Sequence, residues 1–138
     1  MKLLIKHTQP LILIILFTFV IACKKPAGPG GKAIIKGKVY SYDFDNTYRY
    51  LISKGYISGE KVYIMYGSYD YVGNKIETAP DGSFEFRFMN KGHYKVFANS
   101  VDTSYKIKGN NTPIAVIREF DITKTGQTIT LDDIIINK

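Results

Sequence analysis

Cys23 carries the only thiol in this 138-residue chain, and no other side chain here could serve as disulfide partner or thiolate nucleophile. Other groups able to do chemistry are sparse. After residue 22 there is a single histidine, His93, placed just behind Gly92 at the start of an expected strand. Without a second histidine or a free cysteine it completes neither a zinc set nor a nucleophile pair, and it reads as a surface residue. Asp132 and Asp133 are adjacent, so in a strand they point to opposite faces and cannot act as a carboxylate pair unless a bulge realigns them. Asp43-Phe44-Asp45-Asn46-Thr47 spaces oxygen ligands in a calcium-like way, but it lacks the glycine and the distal glutamate of an EF-hand loop, and a plain turn is the simpler reading. The inventory argues against an enzyme and requires no metal and no cofactor.

Tyrosine is the unusual residue. Nine of the eleven tyrosines fall between Tyr40 and Tyr71. Strand propensity and half-buried packing account for Tyr40, Tyr63 and Tyr66. Tyr48, Tyr50, Tyr69 and Tyr71 sit in or near expected connections, where a tyrosine offers rigid contact area and a hydroxyl at low entropic cost. These four are the candidate partner-binding residues.

The elements around Cys23 define its chemistry. Met1 to Pro10 carries Lys2 and Lys6 and no acid, and Leu11 to Ala22 is an apolar run interrupted only by Thr18. Twelve residues at 1.5 Å rise span about 18 Å, short of the roughly 30 Å hydrocarbon core, which fits the apolar region of an export signal better than a membrane span. The order Val20-Ile21-Ala22-Cys23 resembles the lipobox of bacterial lipoproteins. That resemblance implies a diacylglyceryl group on the Cys23 thiol, cleavage of residues 1–22 before it, and acylation of the new amino group. Ordinary signal cleavage and an uncleaved anchor are the alternatives. Each buried acyl methylene contributes about 0.8 kcal/mol, so three chains would hold the protein to a membrane for its lifetime. A lipidated Cys23 would also leave the folded part without a thiol, standing on its apolar core alone.

Removal of residues 1–22 takes away Lys2 and Lys6 and leaves 17 basic and 12 acidic residues, a net charge of +5 spread along the chain. No basic cluster interleaved with aromatics points to nucleic acid. Residues 24–32 hold two prolines and three glycines and no large apolar side chain, which predicts a flexible tether lifting the domain off the bilayer. Residues 33–138 suit one domain with one core.

That domain reads as all-β. Phe84, Phe86 and Phe88 alternate with Ser83, Glu85 and Arg87, which places three rings on one face. Tyr94, Val96 and Ala98 repeat the pattern, with Phe97 on the wetter side; Ile35 and Val39, then Val62, Ile64 and Tyr66, mark two more strands. Further strands are expected within 113–122 and 127–136. Ala79-Pro80-Asp81-Gly82 and Asn90-Lys91-Gly92 are turns, with Gly82 suited to positive φ, and they predict a meander of hairpins over 72–99. About seven strands with such turns make a single antiparallel β-sandwich.

The order Gly37-Lys38-Val39, Glu60-Lys61-Val62, Thr78-Ala79-Pro80-Asp81-Gly82-Ser83-Phe84 and Lys91-Gly92-His93-Tyr94-Lys95-Val96 resembles the carboxypeptidase regulatory-like domain, a small prealbumin-like (transthyretin-type) β-sandwich. Gly126 and Thr130-Leu131-Asp132 resemble its last strand. The resemblance covers most of 33–138 and implies no activity, since in carboxypeptidases this module lies beside the catalytic domain and holds no zinc site; elsewhere it is a scaffold or interaction element of envelope proteins. Two departures stand out. Asp43 to Ser58 is a long insertion-like segment, and the apolar face switches from Ile129 and Leu131 to Ile134 and Ile136, which a bulge at Asp132-Asp133 would reconcile.

The expected function is a lipid-anchored, non-catalytic interaction or scaffold domain that docks on another envelope protein. The alternative is a binding protein for a glycan or peptide that uses the tyrosine-rich segment 40–71. Lys24 is not the aspartate associated with inner-membrane retention in some bacteria, so the outer membrane is the expected site.

Overall fold

The computed structural model describes residues 25–104 and 112–138; Cys23 and the segment before it lie outside the described residues. Nine strands follow one another: β1 (Pro29–Phe44), β2 (Leu51–Tyr56), β3 (Lys61–Tyr66), β4 (Asn74–Glu77), β5 (Ser83–Met89), β6 (Gly92–Val101), β7 (Pro113–Ile122), β8 (Thr128–Thr130) and β9 (Ile134–Asn137). They form a β-sandwich. One sheet is built on β1, which pairs antiparallel with β5 and β2 along one edge and parallel with β8 and β9 along the other; the second sheet runs β4-β3-β6-β7 and is antiparallel throughout. Seven expected strands become nine because the 43–58 segment folds back as β2 and the last strand is split in two.

Period-two alternation places the core. Ile35 and Val39 of β1, Val62 and Ile64 of β3, Tyr94, Val96 and Ala98 of β6, and Ile134 and Ile136 of β9 are all fully buried between the sheets. Each large aliphatic buried in this way stabilises the fold by about 1.5–3 kcal/mol. Gly37 falls on the same inward face of β1, and the Phe84 ring occupies the space where its side chain would stand, with a Cβ there only 2.5 Å from the ring. Phe97, on the outer face, stacks on Tyr63 with ring centroids 5.1 Å apart, which gives that apolar residue a partner.

The break between β8 and β9 is the expected bulge. Lys36 pairs with Thr130 and Val39 with Ile134, so Gly37 and Lys38 stand opposite Leu131, Asp132 and Asp133. The extra residue moves Ile134 and Ile136 onto the face already occupied by Ile129 and Leu131.

Three expectations are corrected. The stretch 72–99 is not a meander of hairpins: β4 pairs with β3, β5 with β1, and β6 with β3 and β7. The turns at 79–82 and 90–92 carry the chain from one sheet to the other, because the apolar faces they join are buried against each other across the core. Phe88 does not share a face with Phe84 and Phe86. Ala33 pairs with Met89 while Ile35 pairs with Phe86, so β5 holds one extra residue; Phe88 takes φ +61° and turns out to 68% exposure, and Met89 fills the core instead. Finally, most of the expected tether is docked. The Gly28 amide donates to the Tyr94 hydroxyl at 2.8 Å, the Asn90 amide donates to the Gly28 carbonyl at 2.8 Å, and Asn90 Nδ2 donates to the carbonyls of Pro26 and Pro29. Composition suggested disorder there, but a buried tyrosine hydroxyl needs partners, and this segment supplies one.

Gly82 has φ +75°, and a Cβ there would lie 2.8 Å from the Tyr56 Cβ and 2.9 Å from the Val39 carbonyl oxygen. Gly82→Val is expected to cost about 1–3 kcal/mol, read as a lowered denaturation midpoint; an unchanged midpoint would refute this account of the turn. Tyr94→Phe strips the shared partner from Gly28 and Asn90 and is expected to cost about 1–3 kcal/mol by the same measurement, with faster proteolysis near Pro26.

Candidate functional site

The candidate tyrosines are placed by two loops at opposite ends of the sandwich. Tyr48 and Tyr50 belong to the 45–50 loop of the β1–β2 hairpin. Asp45 organises that loop: its Oδ1 accepts the amides of Arg49 (2.9 Å) and Tyr50 (3.2 Å), and its Oδ2 accepts the Thr47 hydroxyl (2.6 Å). These bonds, the one to Thr47 first, hold the Asp45 carboxyl below its usual range. The calcium-like spacing of the sequence is therefore spent on a turn. Tyr48 sits in the left-handed region at φ +54°, and Tyr50 is 72% exposed.

Tyr69 and Tyr71 lie in the β3–β4 loop, their rings tilted together at 5.1 Å. That loop is fixed at the other end, where the Gly67 amide donates to the His93 carbonyl beside the start of β6. β1 alone separates the two ends by up to about 50 Å at 3.3 Å per residue. The four tyrosines are thus two pairs and cannot form one site.

Two surface features escaped the sequence reading. The first is the hairpin arm. Among the described residues β2 pairs with β1 alone, so its outer edge ends the sheet. Asp43 pairs with Ser53 but Phe44 with Leu51, which leaves Ile52 as a bulged residue, 66% exposed beside exposed Leu51. Tandem apolar residues next to a tyrosine were the available signal. The second is a cluster on the outer face of β1. The Tyr40 ring meets Tyr42 and Tyr56 edge-on at 5.4 and 5.3 Å, Lys38 Nζ lies 4.8 Å over the Tyr56 ring, and the Tyr56 hydroxyl donates to Asp133 at 3.0 Å. That acceptor raises the Tyr56 pKa above the ordinary phenol value. Lys38 and Asp133 also border an open groove of about 770 Å³ lined by Lys36, Gly37, Ile76, Phe84 and Leu131. Lys38 and Asp133 are the two residues that touch both the tyrosine cluster and the groove.

His93 has partners after all. Its Nε2 lies 2.8 Å from Glu119 and its Nδ1 3.0 Å from Asp121, both on neighbouring β7, and Lys95 lies 3.7 Å from the same Glu119 oxygen. The hydrogen bond to Glu119, then that to Asp121, raises the imidazole pKa and lowers that of Glu119. Both ring nitrogens can donate only when the imidazole is protonated, so the arrangement is an ion-pair bridge between strands rather than a poised base. No group of three or more His, Cys, Asp or Glu that could hold a metal occurs among the described residues. Cys23 lies outside them.

No protein-family model and no curated protein matches the chain. Among solved structures, the chain is similar to that of a "putative carbohydrate binding protein" from Pseudomonas aeruginosa, with 14% identity, a TM-score of 0.44 and coverage of 81% of this chain and 92% of that one.

The His93 bridge predicts a pH dependence. Because the folded pKa lies above the ordinary 6.5, the bridge contributes its full stability below that value and loses it as pH rises through the folded pKa. His93→Gln is expected to flatten the melting temperature over that window, and added salt to shrink it, since the group is largely exposed. An identical pH profile in the two proteins would remove the bridge from the stability of the fold.

Proposed function

We propose that this chain is a lipid-anchored, non-catalytic binding domain of the bacterial cell envelope that docks on another envelope protein through its β1–β2 arm. The observation that carries the docking is the outer edge of β2, where Tyr50, Leu51 and Ile52 are exposed together at the end of the sheet. An unpaired strand edge offers main-chain donors and acceptors to an added strand, and neighbouring apolar side chains give such pairing its specificity. Val20-Ile21-Ala22-Cys23 behind an apolar run supports the anchor, and the motif order similar to the carboxypeptidase regulatory-like family supports a scaffold or interaction role.

A second reading is favoured by the outer face of β1. There the rings of Tyr40, Tyr42 and Tyr56 cluster, and Lys38 and Asp133, which contact Tyr56, also line the open groove, a combination suited to a glycan or peptide.

A photo-crosslinking residue at Ile52, placed in cells, is expected to capture a discrete envelope protein, and Tyr50→Asp in that background to abolish the adduct; silence at Ile52 would sink the docking reading. Tyr56→Ala would spare that adduct and instead abolish retention on a glycan array if the second reading holds. Cys23→Ala is expected to lose acyl label and leave the membrane fraction. Acylated Cys23→Ala protein in membranes would overturn the anchor.

A further inference from the structure

We infer that the Gly28 end of the sandwich is a membrane-contact surface, seated on the headgroups of the leaflet that holds the anchor; this rests on the lipid-anchor reading of Cys23. The covalent geometry sets the distance. Pro26 is held on the sandwich by Asn90 Nδ2 at 3.2 Å, and Gly28 is held by Tyr94 and Asn90. Pro26 follows Cys23 by three residue steps, with only Lys24 and Lys25 between them, a reach of at most about 11 Å. The interfacial layer of one leaflet is itself roughly 5–7 Å thick. A chain pinned this close to its acylated residue has no length left to stand off, so the end from which it emerges lies at headgroup level.

The side chains at that end have the chemistry of an interface. Phe88 is pushed outward by the β5 bulge with a left-handed backbone, a conformation disfavoured for any side chain but glycine and retained here at a solvent-exposed phenylalanine. It lies two residues before Asn90, the residue that grips Gly28 and Pro26. From the facing sheet Tyr69, Tyr71 and Val72 are exposed on the loop that follows Tyr66. Exposed aromatic rings of this kind are at home between water and acyl chains. Charge agrees. The four segments that make this end, 25–32, 67–74, 89–92 and 123–127, hold Lys25, Lys32, Lys91 and Lys124 against the single acid Asp70. A basic rim around aromatics suits anionic headgroups. The opposite end, at the tip of the arm, is thereby turned away from the bilayer.

The chain contains no tryptophan, so one introduced indole reports its own surroundings. Full-length lipidated Phe88→Trp and Tyr71→Trp proteins, and Tyr50→Trp as the far-end reference, are reconstituted into phosphatidylethanolamine–phosphatidylglycerol vesicles with and without brominated acyl chains. The expected result is a blue-shifted emission that bromine quenches at positions 88 and 71, and an unquenched, water-like emission at position 50. Lys91→Glu combined with Lys124→Glu weakens the quenching at both. Acylated protein that sediments with the vesicles but shows no quenching at 88 or 71 overturns the contact surface and leaves the anchor standing. Equal quenching at all three positions overturns the orientation. Protein whose mass shows no acyl group, and which stays in the supernatant, overturns the anchor reading and the contact surface with it. Tyr71→Trp lies in a loop outside the core, so it reports even where Phe88→Trp disturbs the bulge.

Discussion

The first sheet exists only because β1 is bonded along both edges. Its lower half holds β5 on one side and β8 on the other, and its upper half holds β2 and β9. Four strands with no other partner in that sheet among the described residues therefore depend on one segment. A strand used this way must alternate cleanly, because a one-residue slip would put Lys36 and Lys38 in the core. Ala33, Ile35, Gly37, Val39 and Ser41 keep that register for nine residues, and the irregularities needed elsewhere are placed on its partners, at Phe88, Ile52 and Leu131–Asp133. Between Ala33 and Ser41 β1 thus stays regular while its partners bulge; its own irregularity lies before that stretch, where Pro29 and Ala33 both pair with Met89.

The second dependency is the buried Tyr94 hydroxyl. It sits among apolar neighbours, with the Tyr66 ring edge-on at 6.0 Å and Phe120 stacked at 6.1 Å. A phenol in that setting needs hydrogen bonds, and burial pushes its pKa up. It accepts one from the Gly28 amide and donates one to the Asn90 carbonyl. One hydroxyl thus joins the Gly28 segment to the turn between the sheets, and a segment with almost no side chains of its own becomes part of the domain.

How much of this was legible follows from the kind of physics involved. The inward face of β1, the alternation of β6, the positive φ at Gly82 and the extra residue near Asp133 are local, and local spacing declares them. Phe88 fitted the period of β5 as well as Phe86 did; only the following Met89, which breaks the alternation, hinted that one of the two had to leave the core. The turns at 79–82 and 90–92 have the residues of any tight turn, which do not reveal whether the next strand pairs alongside or crosses to the other sheet. The docked segment 26–32 was hidden for a related reason: its partner is a hydroxyl more than sixty residues away. The same long-range placement separates Tyr48 and Tyr50 from Tyr69 and Tyr71, which proximity in sequence had grouped together.

The docking of that segment changes what an anchor at Cys23 would do. A flexible leash would let the domain present any face to its surroundings, and every exposed patch would be equally available. With Pro26 and Gly28 fixed, attachment at Cys23 would instead hold one end of β1 at the anchor and project the other, so the orientation would be encoded in the hydrogen bonds of Tyr94 and Asn90 rather than in linker length. The two ends then have unequal roles. Aromatic and basic residues near Gly28 would face the anchor, whereas the edge of β2 that pairs with no strand among the described residues, with Leu51 and Ile52 at its start, would stand at the far end. An exposed apolar strand edge is an aggregation hazard in a freely diffusing protein. Held at one end and projected in a fixed direction, the same edge would meet only partners that approach from that side.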